Sequence, residues 1–234
     1  MTLNASELAY ALGMAAVAVN AVTAVLETED KGMDLVGAVI VGFVASLGGG
    51  TLRDLLLQRH VFWLADATYL VCGFAAVGAT FALARRVRFR SGLFEIPDAL
   101  GLALFTIVGA RIALEAGVHW LAASLLAVIT GVFGGVLRDV LVNEVPLIMR
   151  PGTLYATASW CGALAMIGAA AAGAGEASSA AAGGAVVLAM RLAAIRWRLR
   201  VPKFRSAPPI VSAAARERNS RRSMNPWQYS SYRS

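Results

Sequence analysis

Two stretches decide the fold: Gly48-Gly49-Gly50-Thr51-Leu52-Arg53-Asp54-Leu55 and Phe133-Gly134-Gly135-Val136-Leu137-Arg138-Asp139-Val140. Each closes a long apolar run with a glycine break and then an adjacent Arg-Asp pair. The second copy follows the first at a separation of 85 residues, both at the Arg and at the Asp. A unit of that length is too long for a solenoid repeat and must hold several helices, which points to an ancestral duplication.

Working outward, the composition belongs to a membrane. Of the 234 residues, 58% are hydrophobic and only 15% charged, with a mean hydropathy of +0.66, more apolar surface than a soluble core of this size can hide. About 20 apolar residues cross a bilayer as a helix. On that rule the spans fall at residues 8–26, 35–57, 68–84, 98–116, 120–142, 153–173 and 178–195. The expected fold is therefore all-α, a polytopic membrane protein of seven transmembrane helices. The first run has no basic leader and ends in Glu27, Glu29 and Asp30, so it reads as a retained span and not a cleaved signal peptide.

Loop charge sets the expected orientation. Arg85, Arg86, Arg88 and Arg90 follow the third span, and Arg196, Arg198, Arg200, Lys203 and Arg205 follow the seventh. Both clusters are cytoplasmic by the positive-inside rule, and the even number of helices between them makes the two assignments agree. The N-terminus is then outside and the C-terminus cytoplasmic, in the cell inner (plasma) membrane. From Arg191 onward there are 11 Lys and Arg residues and one acid, so this part carries +10 and the rest of the chain −3. The basic excess belongs to the tail and does not indicate nucleic acid. Anionic lipid headgroups are the natural counterpart of such a tail.

Three helices separate the two glycine segments, and an odd number inverts the second copy. The expected organisation is a first three-helix repeat over residues 1–90, a second, inverted repeat over 91–175, a seventh helix over 176–200, and a disordered basic tail over 201–234. Inverted 3+3 repeats with broken helices are a common plan among proteins that move small solutes.

Two readings stand for the glycines. Gly48, Gly49, Gly50, Gly134 and Gly135 can kink or unwind their helices and turn carbonyls toward a water-filled path, or they can let helices pack closely. The Arg-Asp pairs, Arg53 with Asp54 and Arg138 with Asp139, likewise either line vestibules and lock the helices, or anchor at the interface by snorkelling. Arg111 and Glu115 are spaced to pair on one helix face. Trp63, Tyr69, Trp120 and Tyr155 lie near span ends and read as interface aromatics. Cys72 and Cys161 fall inside spans, which argues against a disulfide, and His60 and His119 are isolated, so no metal-ligand spacing is present. No nucleophile-base arrangement suggests an enzyme.

From 8 to 195 these residues resemble the prokaryotic trimeric intracellular cation channels, a family also called glycine transporters. The resemblance rests on the doubled GGGTLRD and GGVLRD, on DALGLALFTIVGA at 98–110 and on NEVPLIMRPG at 143–152. It implies a homotrimer with a pore in each subunit, lined by helices two and five and conducting monovalent cations, chiefly potassium. The pore elements it implies are the five glycines, with Arg53, Asp54, Arg138 and Asp139 at the mouths or gate. The hydroxyls of Ser46, Thr51 and Thr130 are further candidates for replacing part of an ion's hydration shell. No cofactor and no metal beyond transient potassium is implied; bound lipid is a candidate partner. The first copy departs from the second at Tyr10, opposite Asp98, and at Val61, opposite Pro146. A secondary transporter of a small zwitterion such as an amino acid is the alternative, because an Arg can hold a carboxylate.

Overall fold

The computed structural model describes residues 5–29, 31–86 and 94–197. The expected basic tail, and Arg88 and Arg90 of the basic loop, lie outside the described residues. All regular structure among the described residues is helical. Seven helices have 17 residues or more: α1 (Ala5–Glu29), α2 (Leu35–Leu56), α4 (Thr68–Ala84), α5 (Glu95–Glu115), α6 (Trp120–Leu141), α7 (Tyr155–Ala171) and α8 (Glu176–Trp197). A single turn, α3 (Phe62–Ala65), follows α2, and a 3-10 turn (Leu147–Met149) follows α6. Five of the long helices are long and apolar enough to cross a membrane; α4 and α7, at 17 residues, are shorter apolar helices.

Local chemistry sets the ends. The Asp34 side chain caps α2 by accepting from the Gly37 N–H at 2.8 Å, as N-cap residues do for orphan amides. At the other end Gln58 and Asn143 adopt left-handed φ values of 52° and 57°, the geometry that stops a helix by folding the next amides back onto its last carbonyls. The Arg59 N–H donates to the Asp54 carbonyl at 3.0 Å and the Glu144 N–H to that of Asp139 at 2.8 Å. The sequence repeat is thus a repeat in backbone hydrogen bonding.

The helices pack as two threes and one. α1, α2 and α4 contact one another, as do α5, α6 and α7; the sets meet through α2 against α6 and α1 against α5, and α8 lies on α5 and α7. Much of the buried surface is alanine, including Ala16, Ala21, Ala38, Ala45, Ala99, Ala110 and Ala127. Small side chains bring backbones together where lipid offers no hydrophobic drive for helix association. Thr106 and Ser159 hydroxyls join α5 to α7 across 2.7 Å.

Candidate functional site at the central helix crossing

α2 and α6 cross with backbone against backbone. A methyl group built on Gly49 would collide with the Thr130 carbonyl oxygen, and one built on Gly134 with that of Ala45. The register is antiparallel, because moving forward from Ala45 to Gly49 on α2 moves the facing residue back from Gly134 to Thr130. Shifting by the repeat separation turns Ala45 into Thr130 and Gly49 into Gly134, so the two contacts exchange. The crossing therefore lies on a local pseudo-two-fold axis, with the C-terminal turns of α2 and α6 pointing to opposite ends.

Of the kink or unwinding expected at the glycines, the structure shows no unwinding. Both glycine runs are helical throughout, α2 from Leu35 to Leu56 and α6 from Trp120 to Leu141. Gly49 and Gly134 remove bulk where two backbones touch. Gly48 faces Leu137 Cδ1, Gly50 receives the Phe62 ring, and Gly135 faces the Tyr155 hydroxyl. The three candidate hydroxyls donate within their own helices: Ser46 to the Gly42 carbonyl at 2.6 Å, Thr51 to Leu47 at 2.8 Å and Thr130 to Leu126 at 2.6 Å. Thr51 Oγ1 also accepts from Trp63 Nε1 at 2.9 Å.

Each Arg-Asp pair forms a buried node at the end of its helix. Arg53 is 2% exposed and Arg138 fully buried, which rules out snorkelling as their role. Arg53 Nε donates to Asp54 Oδ1 at 2.9 Å, and Asp54 Oδ2 accepts the Phe62 N–H at 2.9 Å. At the other node Arg138 Nε and a terminal nitrogen donate to Asp139 Oδ1 at 3.0 and 2.7 Å, and Asp139 Oδ2 accepts the Leu147 N–H at 2.7 Å. Phe62 and Leu147 stand eight residues beyond their aspartates in both copies. Each aspartate thus ties the chain after its helix back to the last turn while balancing its arginine, the satisfied arrangement that a buried charge requires.

The nodes differ in what surrounds them. Arg53 stacks over Phe62 at 5.7 Å, and Phe62 meets Tyr69 edge-on at 4.8 Å; Arg59, half exposed, approaches Asp54 to 3.7 Å. Arg138 instead pairs with Asp98 at 2.8 Å and with Glu27 as well as with Asp139. Asp98 also accepts from the Tyr155 hydroxyl at 3.0 Å and meets Arg191 at 3.4 Å. Arg191 donates to the Thr153 carbonyl and lies 4.8 Å from the Tyr155 ring centre.

Sequence reasoning missed three members of this node. Glu27 had marked the end of the first span, yet α1 continues to Glu29 and buries it. Asp98 had marked the start of the fourth span, but α5 begins a turn earlier. Arg191, which the charge division of the sequence counts with the tail, lies within α8. Tyr155 is corrected from an interface aromatic to a buried residue, 4% exposed. The available signal was an acid inside an apolar run, which marks functional or paired sites in membranes. Arg111 does pair with Glu115 at 2.6 Å, and with Glu176.

Taken together, the fold and site define a polytopic helical membrane protein whose two halves meet at a glycine crossing between a pair of buried ion nodes. The chain belongs to the glycine transporter family, whose model matches it twice, over residues 10–85 and 95–171. The two matches correspond to the two copies of the motif. It is 39% identical over 200 residues to the UPF0126 inner membrane protein YadS of Escherichia coli K12, covering 84% of this chain and 96% of that protein. Its fold is similar to that of the TRIC trimeric intracellular cation channel orthologue from Rhodobacter sphaeroides, with a TM-score of 0.78, 36% identity and coverage of 82% and 99%. A second TRIC cation channel structure matches with a TM-score of 0.75, 29% identity and coverage of 85% and 98%.

Proposed function

We propose that this chain is a monovalent cation channel, with potassium the principal permeant ion and a path within each subunit along the α2–α6 crossing. The observation that carries this reading is the similarity to a trimeric cation channel over 99% of that protein's length at 36% identity. The organisation proposed with it is a homotrimer of seven-span subunits in the inner membrane, with α4 and α7 as the shortest spans. The repeats cover residues 1–90 and 91–175, the N-terminus is outside, and the basic tail faces the cytoplasm and its lipids.

The geometry suggests a division of labour. Backbone contact at Gly49 and Gly134 makes the crossing the constriction, and separation of α2 from α6 there opens the path. The nodes hold the ends of those helices while the crossing moves. Selectivity between potassium and sodium is modest, because the chain has no TVGYG-type run from which to build a multi-carbonyl filter. The transporter alternative needs an arginine for a substrate carboxylate. Arg53 and Arg138 are both engaged by carboxylates of the chain itself, which favours the channel.

The test is a planar-bilayer recording of the purified protein in asymmetric potassium chloride. Discrete unitary currents reversing toward the potassium equilibrium potential are expected. Saturable exchange of a zwitterion without unitary currents would overturn the proposal. Replacing Gly49 and Gly50 by leucine abolishes conduction in this scheme.

A further inference from the structure

The node at the α6 end holds one carboxyl group that its hydrogen bonds leave out. Glu27, Asp98 and Asp139 share the node with Arg138 and Arg191, all five side chains under a tenth exposed. Both oxygens of Asp139 accept, one from Arg138 and the other from the Leu147 N–H. Both oxygens of Asp98 are engaged too, one by Arg138 and the Tyr155 hydroxyl, the other by Arg191. Glu27 is the exception. Its Oε2 lies against Arg138 Nε, but that N–H donates to Asp139 Oδ1, and Glu27 Oε2 is buried without a hydrogen bond.

Among the described residues, the charged groups around the node are engaged elsewhere or exposed. Arg150 donates to the Val145 carbonyl and to Glu144, and Lys31 donates to Glu144. Asp34 caps the start of α2, and Arg85 at the end of α4 is exposed. A carboxylate kept from water is tolerated only with hydrogen bonds as well as an opposite charge. Of the three acids, Glu27 is the one with a buried oxygen that lacks them. It is therefore the group that takes a proton from the solution as the pH falls and returns it as the pH rises. The proton decides what holds α6. α1 packs along α5, α2 and α4 and meets α6 only over a short stretch, so Glu27 against Arg138 is its charged tie to the end of that helix. With Glu27 neutral, Arg138 keeps Asp139 and Asp98, and the tie to α1 is lost.

We propose that Glu27 is a proton-operated latch: ionised, it ties α1 to the end of α6 through Arg138; protonated, it releases α6, which then separates from α2 at the glycine crossing. The opening step rests on the channel reading above; the proton site does not. Coupling between two sites is typically about 5–150-fold, and a single ionisable group belongs at the low end. Acidifying the α6 side is therefore expected to raise the open probability about fivefold.

The experiment has two arms. Infrared difference spectra of the full chain in phosphatidylcholine membranes are taken between about pH 8 and about pH 5.5, a range in which exposed Asp and Glu stay ionised. The carbonyl band of a protonated carboxyl is expected, shifted by heavy-carbon labelling of the glutamates and absent from Glu27→Gln. Glu27 is the one buried glutamate among the described residues, so the labelled wild type decides even if the variant fails to fold. In the second arm single channels are recorded while each chamber is acidified in turn, because His60 and His119, exposed at the α2 end, titrate in the same range. A rise in open probability that Glu27→Gln abolishes is expected from one chamber only, with the variant held at the higher level throughout. A spectrum without a glutamate band would overturn the inference outright. A glutamate band with an unchanged open probability in a conducting channel would overturn the latch. Absence of wild-type current would overturn the channel reading and the latch with it, while the infrared arm still decides the proton site.

Discussion

Replacing Gly49 with alanine tests the helix crossing directly. The added methyl group points at the Thr130 carbonyl oxygen, a backbone atom that no rotamer change can move, so α2 and α6 must separate or tilt. Overpacking of this kind costs about 1–3 kcal/mol, and a backbone obstacle places it toward the upper end. Alanine returns about 1 kcal/mol of helix propensity, leaving a net loss of about 1–2 kcal/mol. At about 2–4 °C per kcal/mol for a chain of this size, the melting temperature falls by about 2–8 °C. The control is Gly78→Ala in α4, where no atom lies within 4 Å of the added carbon; it is expected to be neutral or slightly stabilising. Thermal unfolding of the detergent-purified protein, followed by tryptophan fluorescence, measures both. Gly134→Ala should match Gly49→Ala, and the double variant should lose less than the sum because one separation relieves both collisions. A Gly49→Ala protein as stable as Gly78→Ala would refute the close crossing.

Other outcomes follow from the nodes. Asp54→Asn leaves Arg53 without its buried carboxylate and is expected to cost about 3–5 kcal/mol; Asp139→Asn costs less, because Asp98 and Glu27 still face Arg138. Comparing the two melting temperatures decides this. Tyr155→Phe removes a hydrogen bond to Asp98 and is expected to lose about 1.5–3 kcal/mol by the same assay. At the exposed Lys31–Glu144 pair, the Lys31 hydrogen bond and charge hold the Glu144 carboxyl below its ordinary value of 4.5. Its contribution is present above that ordinary value and is lost as pH falls through the lower folded value. The melting-temperature gap between wild type and Glu144→Gln should therefore stay constant from neutral pH down to the ordinary value and close below it.

Much of the architecture was legible because it is written in local chemistry. Long apolar runs mark spans, and a doubled glycine-Arg-Asp motif marks duplication whatever its structural role. The predicted limits of the spans lie within a few residues of the observed helices, and Glu27, just past the predicted end of the first span, lies inside α1. Asn143 and Gln58 show how far local reading extends: both close a helix in the left-handed conformation, and the preference of that conformation for a residue such as asparagine is intrinsic to the backbone.

The partnerships were not legible. By itself the sequence determined that this is a helical membrane protein with two related halves, because hydrophobicity and periodicity act along the chain. Only the tertiary structure decided that Gly49 and Gly134 serve a backbone contact, that Tyr155 is buried, and that Glu27, Asp98 and Arg191 join Arg138 from three different helices. The physical reason is that burying a charge in a low-dielectric interior is tolerable only when an opposite charge is brought to it. The partner comes from wherever in the chain the packing places one, and no spacing in the sequence records that choice.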